Sequence, residues 1–330
     1  MEEIPVSAIP GLRIGQVQDE AAATGVTVIL CPDGMAASVD VRGGGPASRD
    51  SRILDPLAAA DRIHAVVLAG GSAFGLDAAG GVQRYLEEHD LGLDMGIAKV
   101  PLVCQSDIFD LGVGSSFVRP DGAMGYAACV AAEEGAAGNY RDGNYGAGCG
   151  ATVGKILGPA FAMKSGIGSY GVQLGPLQVA AVVVVNAAGD VFDPVDGRQV
   201  AGLLTEDKRG LRRSDDVMYA LYEQQAGAGA ALAQEAPCAG NTTIGAIITN
   251  ADLSKAQLCK VAAMGHDGMA RAICPVHTSM DGDSLYALSA GAVPAPPDLV
   301  GTLAAQVVSK AILRAVESAA PAYGLPSVQG

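Results

Sequence analysis

One run of nine residues constrains the fold more than any other feature: Gln178-Val179-Ala180-Ala181-Val182-Val183-Val184-Val185-Asn186. It is rich in β-branched residues and nearly free of polar ones. As a strand it places apolar side chains on both faces, and such a strand must be covered on both sides. It is far shorter than the ~18 apolar residues of a membrane-spanning helix. The chain that supplies the covering layers is small-residue rich: 45 of its 330 residues are Gly, aromatics are 4% and Trp is absent. Sheets and helices built from such residues pack at close backbone distance. The composition speaks against a binder with aromatic anchors and against a base-stacking platform.

The remaining pattern alternates short β-rich runs with Ala-rich helical stretches. Strands are predicted at 25–30 (ending at Cys31-Pro32), 63–68, 178–186, 191–192, 243–249 and 284–289. Helices are predicted at 76–88, 122–134, 254–273 and 297–317, with Ser254 and Gln257 spaced as a capping box. The densest charge run, 205–216, is followed by an Ala/Gly/Gln stretch, so 203–240 is expected to be an exposed, solvated loop. The sum is a single domain over 1–330, α/β or α+β. Hydrophobic residues at 49% exclude wholesale disorder. A net charge of −14 gives no electrostatic footprint for nucleic acid or an anionic membrane. The start Met1-Glu2-Glu3 has no basic segment leading into an apolar one, so a cytoplasmic protein is expected. Cysteines at 31, 104, 129, 149, 238, 259 and 274 are odd in number and lack C-x-x-C. Reduced thiols are expected, with no metal and no cofactor.

Four places carry candidate chemistry. The turn Gly70-Gly71-Ser72-Ala73-Phe74-Gly75 can present backbone N–H groups to an anion, but it matches neither a dinucleotide fingerprint nor a Walker loop. A structural tight turn and a small-molecule or nucleotide-binding module without catalysis both remain open there. The histidines, His64, His89, His266 and His277, form no H-x-x-x-H pair. His266 precedes Asp267-Gly268 and is able to orient a neighbour, but a helix-surface or core histidine is the plainer reading. A Cys-His nucleophile pair through Cys104 or Cys149 has no local signature. Third, Gly240-Asn241-Thr242-Thr243-Ile244-Gly245 ends a loop at a hydroxyl residue that opens a buried strand. That layout suits self-cleavage: the Thr hydroxyl attacks the preceding carbonyl, and the new N-terminal Thr carries nucleophile and base together. It is equally an ordinary entry from loop to strand. Fourth, Asp281 and Asp283 flank Gly282, and residues i and i+2 of an extended segment share a face. A hairpin turn has the same composition.

Taken together, separated segments resemble one family over nearly the whole chain. It is the L-aminopeptidase/D-amino-acid esterase-amidase family, with its β-peptidyl aminopeptidases and nylon-oligomer (6-aminohexanoate oligomer) endohydrolases. The segments are Gly11-Leu12-Arg13-Ile14-Gly15, Asp40-Val41-Arg42-Gly43-Gly44, Leu68 through Asp77, Gly146-Ala147-Gly148-Cys149-Gly150-Ala151, Asn241-Thr242-Thr243, and Pro275-Val276-His277-Thr278 through Asp283. The resemblance implies a four-layer α/β/β/α sandwich like that of N-terminal nucleophile hydrolases. It implies one cut between Asn241 and Thr242, giving fragments 1–241 and 242–330. It implies a hydrolase of small amides or peptides, working as a homo-oligomer, most simply a tetramer of cut protomers. Residue by residue, Thr242 matches the nucleophile, Asp281 and Asp283 the grouped carboxylates, Lys164 the active-site lysine and Asn186 the oxyanion-supporting asparagine. Tyr126 matches a tyrosine near the substrate. The resemblance makes Lys164 the counterion of both aspartates and the cation that keeps the Thr242 amine neutral. Thr rather than Ser at 242 places the chain nearer the nylon-oligomer branch. Cys149 stands where Ser or Thr is common in the family.

Overall fold

The computed structural model describes residues 1–134, 138–227 and 240–330. The apolar run forms the strand Leu177–Asn186, and its alternate side chains enter two different cores. Val179, Ala181, Val183 and Val185 face one, while Ala180, Val182 and Val184 face the other. Each fully buried Val contributes roughly 1.5–3 kcal/mol of apolar burial. A change such as Val183→Asp would place an unpaired charge where no water reaches.

This strand is the sixth of eight long ones: β1 (Arg13–Asp19), β2 (Thr24–Val41), β3 (Ile63–Ala69), β4 (Val103–Asp107), β5 (Ile167–Leu174), β6 (Leu177–Asn186), β7 (Thr242–Ala251) and β8 (Ser284–Val293). Their order is β5-β6-β7-β8-β2-β3-β4, with β1 also on β2. The short strands Glu2–Ile4 and Ala47–Arg49 lie at the two edges. All neighbours are antiparallel except β7 with β8 and β3 with β4. The helices are α1 (Ala78–Glu88), α2 (Gly122–Ala132), α3 (Ser214–Gly227), α4 (Lys255–Ala272) and α5 (Pro297–Glu317).

Strand β2 makes the sandwich. Its residues 24–30 pair with β1 and β3, and its residues 36–41 pair with β8, so one chain segment passes between two stacked halves. Sequence reasoning ends this strand at Cys31-Pro32, yet it runs on to Val41. Pro32 is tolerated because it falls in the register break between Leu30 and Met35, with Gly34 at φ +73°, where no ladder N–H is required. Between the halves lies a core of Ile14, Ile29, Val66, Leu68, Val182, Val184, Ile244 and Leu288. Outside one half, α4 and α5 pack on β6, β7 and β8; outside the other, α1 and α2 cover Val26, Val28, Ala65 and Val67. The layers are therefore α/β/β/α.

The helix starts follow local chemistry. Ser254 and Gln257 form the reciprocal capping box at the head of α4, as their spacing predicts. Helix α5 is long and apolar enough to match a membrane span, but 67% of that window is buried against the sheet and α4. Helix α3 stands inside the segment expected to be loop. The buried Asp190 carboxylate accepts from both the N–H (2.6 Å) and the hydroxyl (2.8 Å) of Ser214 and so pins its first turn. Asp215 and Asp216 there also complement the helix dipole. The rest of the expected loop, 228–239, lies outside the described residues.

Candidate active site

Strand pairing sets the geometry around Thr242. β7 opens at Thr242 and pairs it with Asn186, the last residue of β6. On its other side β7 runs parallel to β8, with Ile244 opposite Ser284. The segment just before β8, Asp281-Gly282-Asp283, therefore lies beside the start of β7. Asp283 Oδ1 accepts the Thr243 N–H at 2.7 Å. The Gly282 N–H donates to the Asn241 carbonyl oxygen at 3.0 Å, and the Thr242 hydroxyl also lies on that oxygen. A β-carbon at Gly282 would come within 2.9 Å of Thr242 Oγ1, so only glycine brings the amide this close. The segment Asp40-Val41-Arg42-Gly43-Gly44 wraps the same turn: Arg42 N–H donates to Asp283 O and Gly45 N–H to Asp281 O. A β-carbon at Gly43 would meet Asp283 N at 2.3 Å, a physical reason for glycine in that motif.

The structure brings Thr242, Asn186, Asp281 and Asp283 together, all of them buried. It does not bring Lys164 to them. The Lys164 ammonium donates to the main-chain carbonyls of Gly148 (3.1 Å), Ala151 (3.0 Å) and Ser165. It ties down the glycine-rich 146–151 segment instead of facing Asp281 and Asp283. Lys155 occupies the place expected of Lys164. Its ammonium donates to Asn186 Oδ1 (2.8 Å), Asn186 O (3.0 Å) and Gly240 O (3.0 Å). Burial pushes its amine down to about 7, against the upward pull of Asp281, Asp110 and Asp283. Burial and the nearby Asp283 carboxylate raise Asp281. Because an ammonium only donates, Lys155 fixes the Asn186 amide: Oδ1 faces Lys155 and Thr152, and Nδ2 donates to Phe109 O at 3.0 Å.

Tyr126 is also elsewhere. It lies on α2, where its hydroxyl donates to Glu88 of α1 and its ring packs edge-on against Tyr85. The tyrosines near the site are Tyr222 and Tyr323. They line a cavity of about 690 Å³ together with Phe109, Ile156, Met218 and Leu221. Lys155, Gly240 and Asn241 form part of its wall, so the residues on the acyl side of the Asn241–Thr242 bond face this cavity.

The other candidates are accounted for by internal contacts. In the 70–75 turn, Gly70 N–H donates to Gly25 O, Gly71 N–H to Asp110 Oδ1 and Ser72 N–H to Ile108 O, so none of the three is free to hold an anion. Burial pushes the Cys104 thiol up to about 12, and its partner is Asp50 O. Cys149 is also pushed up by burial and meets the Tyr323 hydroxyl at 3.2 Å. Neither cysteine has a histidine as hydrogen-bond partner among the described residues, and buried thiols of this kind are poor nucleophiles. His277 and His266 are different: they form a chain of hydrogen bonds ending on Asp283.

Comparison with known proteins agrees with this architecture. The model of peptidase family S58 matches residues 6–327. An uncharacterized aminopeptidase of Mycobacterium tuberculosis is 39% identical, the match covering 98% of this chain and 96% of the relative. A 6-aminohexanoate-oligomer endohydrolase of an Agromyces species is 34% identical over 93% of this chain and 84% of its own. Among solved structures, a Burkholderia β-aminopeptidase superposes with a TM-score of 0.68 at 18% identity, covering 100% of this chain and 93% of that one. The L-aminopeptidase D-Ala-esterase/amidase of Ochrobactrum anthropi, described as a variant of the N-terminal nucleophile hydrolase fold, gives 0.65 at 17% identity, covering 95% and 86%. With a family match over almost its whole length and relatives above 30% identity, the chain belongs to peptidase family S58 and is a hydrolase of amide or peptide bonds.

Proposed function

We propose that the chain cuts itself between Asn241 and Thr242 and then uses Thr242 as an N-terminal nucleophile on small amides or peptides. The observation that carries this reading is the Asn241 carbonyl, which is held by the Gly282 N–H with the Thr242 hydroxyl beside it. An amide N–H aimed at a carbonyl under attack stabilises the oxyanion that forms there.

In the continuous chain the Thr242 nitrogen is an amide and cannot take a proton. Lys155 is the base we assign to the first step, since an amine pushed to about 7 is substantially neutral at working pH. The hydroxyl oxygen attacks the Asn241 carbonyl carbon, the C–N bond breaks, and the Thr242 nitrogen takes up the proton. Water then hydrolyses the ester. The freed α-amine has an ordinary pKa near ~7.7–8.0, suited to taking the hydroxyl proton in later turnovers. Departure of Gly240 removes one acceptor of both Lys155 and Asn186 Nδ2. Those donors then face the space vacated by the 240–241 carbonyls, where a substrate carbonyl would sit. The acyl group would enter the 690 Å³ cavity, whose Phe109, Ile156, Met218 and Leu221 favour apolar chains. Aminoacyl amides, β-peptides and 6-aminohexanoate oligomers form the panel to test, given the names of the relatives.

We also propose assembly into a homo-oligomer. Phe117 at 87% and Ile97 at 97% exposure supply apolar surface for it. N-terminal sequencing of the smaller fragment tests the central reading. It should begin Thr-Thr-Ile-Gly; any other start rejects the site.

A further inference from the structure

The carboxylate that anchors the nucleophile strand ends a chain of three side chains, Asp283, His277 and His266. Asp283 Oδ1 accepts the Thr243 N–H at 2.7 Å; Oδ2 accepts the His277 backbone N–H at 3.2 Å and meets its Nδ1 at 2.8 Å. His277 Nε2 lies 3.3 Å from His266 Nδ1, and His266 Nε2 lies 3.0 Å from the Asp40 carbonyl oxygen. The two rings meet edge to face, with centroids 4.7 Å apart.

Donor and acceptor accounting places the protons. A carbonyl only accepts, so His266 Nε2 carries a hydrogen. Burial pushes the His266 imidazole down and keeps it neutral, so its Nδ1 is an acceptor. His277 Nε2 must then donate to it. On the other side His277 Nδ1 faces a carboxylate oxygen that already accepts two N–H bonds with its partner oxygen. We propose that His277 is held as an imidazolium between Asp283 and His266, and that it is the counterion of Asp283 that positions the start of β7. His277 also sits at φ +56°, a left-handed conformation that a non-glycine residue keeps only when its surroundings impose it.

The consequence is a revised charge balance at the site. His277 is the standing cation, and Lys155 is an amine at about 7 that carries charge only when protonated, facing the carboxylates of Asp281, Asp110 and Asp283. The other charges near the histidines are Asp40 and Arg42, which pair with each other at 3.2 Å at the end of β2. Lys155 is thus left to Asp281 and the reacting groups. Held by His277, Asp283 fixes the Thr243 N–H and through it the direction of the Thr242 hydroxyl. His277 is a positioning residue, since its partners are Asp283 and His266.

The inference rests on Thr242 as nucleophile, but its first test does not. In wild-type protein with ¹⁵N-labelled histidine rings, His277 should show hydrogens on both nitrogens and His266 on Nε2 alone. A single hydrogen on His277 overturns the proposal, whatever Thr242 does. The second test is His277→Gln, which keeps a donor toward Asp283 but carries no charge. In the processed enzyme kcat should fall on the order of tenfold with KM nearly unchanged, since His277 acts through Asp283 and not on substrate. An unchanged kcat, or a loss confined to KM, also overturns it. If the variant fails to fold, the ring spectrum of the wild type decides. Failure of the Thr242 reading would show separately, as a Thr242→Ala protein that is still cut.

Discussion

Two buried lysines, nine residues apart, carry the clearest lesson of this molecule. Lys155 and Lys164 each donate to three oxygens, and burial pushes both amines down to about 7. Their partners differ. Among the described residues Lys164 hydrogen-bonds only main-chain carbonyls, of Gly148, Ala151 and Ser165, and so closes a glycine-rich segment on itself. Lys155 meets a side-chain amide and the carbonyl two residues before Thr242, borders the cavity and feels Asp281 and Asp283. A shifted amine therefore marks burial in both cases. Only the identity of the oxygens separates an anchor from a group that can act on a substrate.

The largest effect that sharpens this contrast is set by Thr242. Thr242→Ala should remain one 33.0 kDa chain with no amide hydrolysis, where wild type should give fragments of about 24 and 9 kDa on a denaturing gel. That variant fixes the floor against which each lysine is judged. Lys155→Met should slow self-cleavage by on the order of 10²–10⁴, a usual loss for a missing general base. Lys155→Arg keeps the charge and a donor but cannot give up its proton, so it should not restore cleavage. In wild type the cleavage rate should rise with pH through about 7, as the Lys155 amine loses its proton, and then level off. A rate that is flat from pH 5 to 9, or a fast Lys155→Met, would remove Lys155 from the mechanism.

Lys164 should behave in the opposite way. Lys164→Met leaves every contact of Thr242, Asn186, Asp281 and Asp283 in place, so cleavage should continue within about tenfold of wild type. Its signature is in stability. The amine is pushed down to about 7 in the folded protein from an ordinary 10.5. Between those values the unfolded chain binds more protons than the folded one, so wild-type stability gains from this group as pH rises from 7 towards 10.5. Below pH 7 the full cost of burying a charge is present. Melting curves should therefore show wild type gaining on Lys164→Met as pH is raised through that window. Parallel curves would mean that Lys164 is not shifted.

How much of this was readable in the sequence depends on the range of the interaction that decides it. The β6 run, the Ser254/Gln257 box and helix α5 follow from period and caps, which act over a few residues. Thr242 and the Asp281/Asp283 pair stood out only through the order of the separated motifs that carries the family resemblance, because locally Asn-Thr-Thr is also an ordinary entry from loop to strand and Asp-Gly-Asp a hairpin turn. Lys155 was not. It and Lys164 are the only charged residues between Asp142 and Asp190, each set among small and apolar neighbours, so nothing local ranks one above the other. The deciding partners, Asn186 and Gly240, lie 31 and 85 positions away. His277 is hidden for the same reason: within Pro275-Val276-His277 it is one loop residue, and its meaning comes from His266 on α4 and the end of β2. Strand β2 ran past its expected end because a register break absorbs Pro32, a feature of pairing that no single segment displays.

Tyr126 gives the smallest expected effect and the sharpest control on reading roles from position in a motif. Its ring sits in the outer α1–α2 layer, against Tyr85 and under Arg84, and its hydroxyl is bonded to Glu88. The Glu88 hydrogen bond is the largest cause raising this phenol, and the ring is partly buried against the α1–α2 layer. Among the described residues it does not line the cavity, whose aromatic wall is formed by Phe109, Tyr222 and Tyr323. Tyr126→Phe should therefore leave self-cleavage and kcat/KM within about twofold and the melting curve nearly unchanged. Tyr222→Ala, on the cavity wall, should instead change the ranking of acyl groups across the substrate panel while leaving the cut at Thr242 intact. If Tyr126→Phe altered that ranking and Tyr222→Ala did not, the acyl group would not lie in this cavity. The contrast between Lys155 and Lys164 would then have to be drawn again around a different pocket.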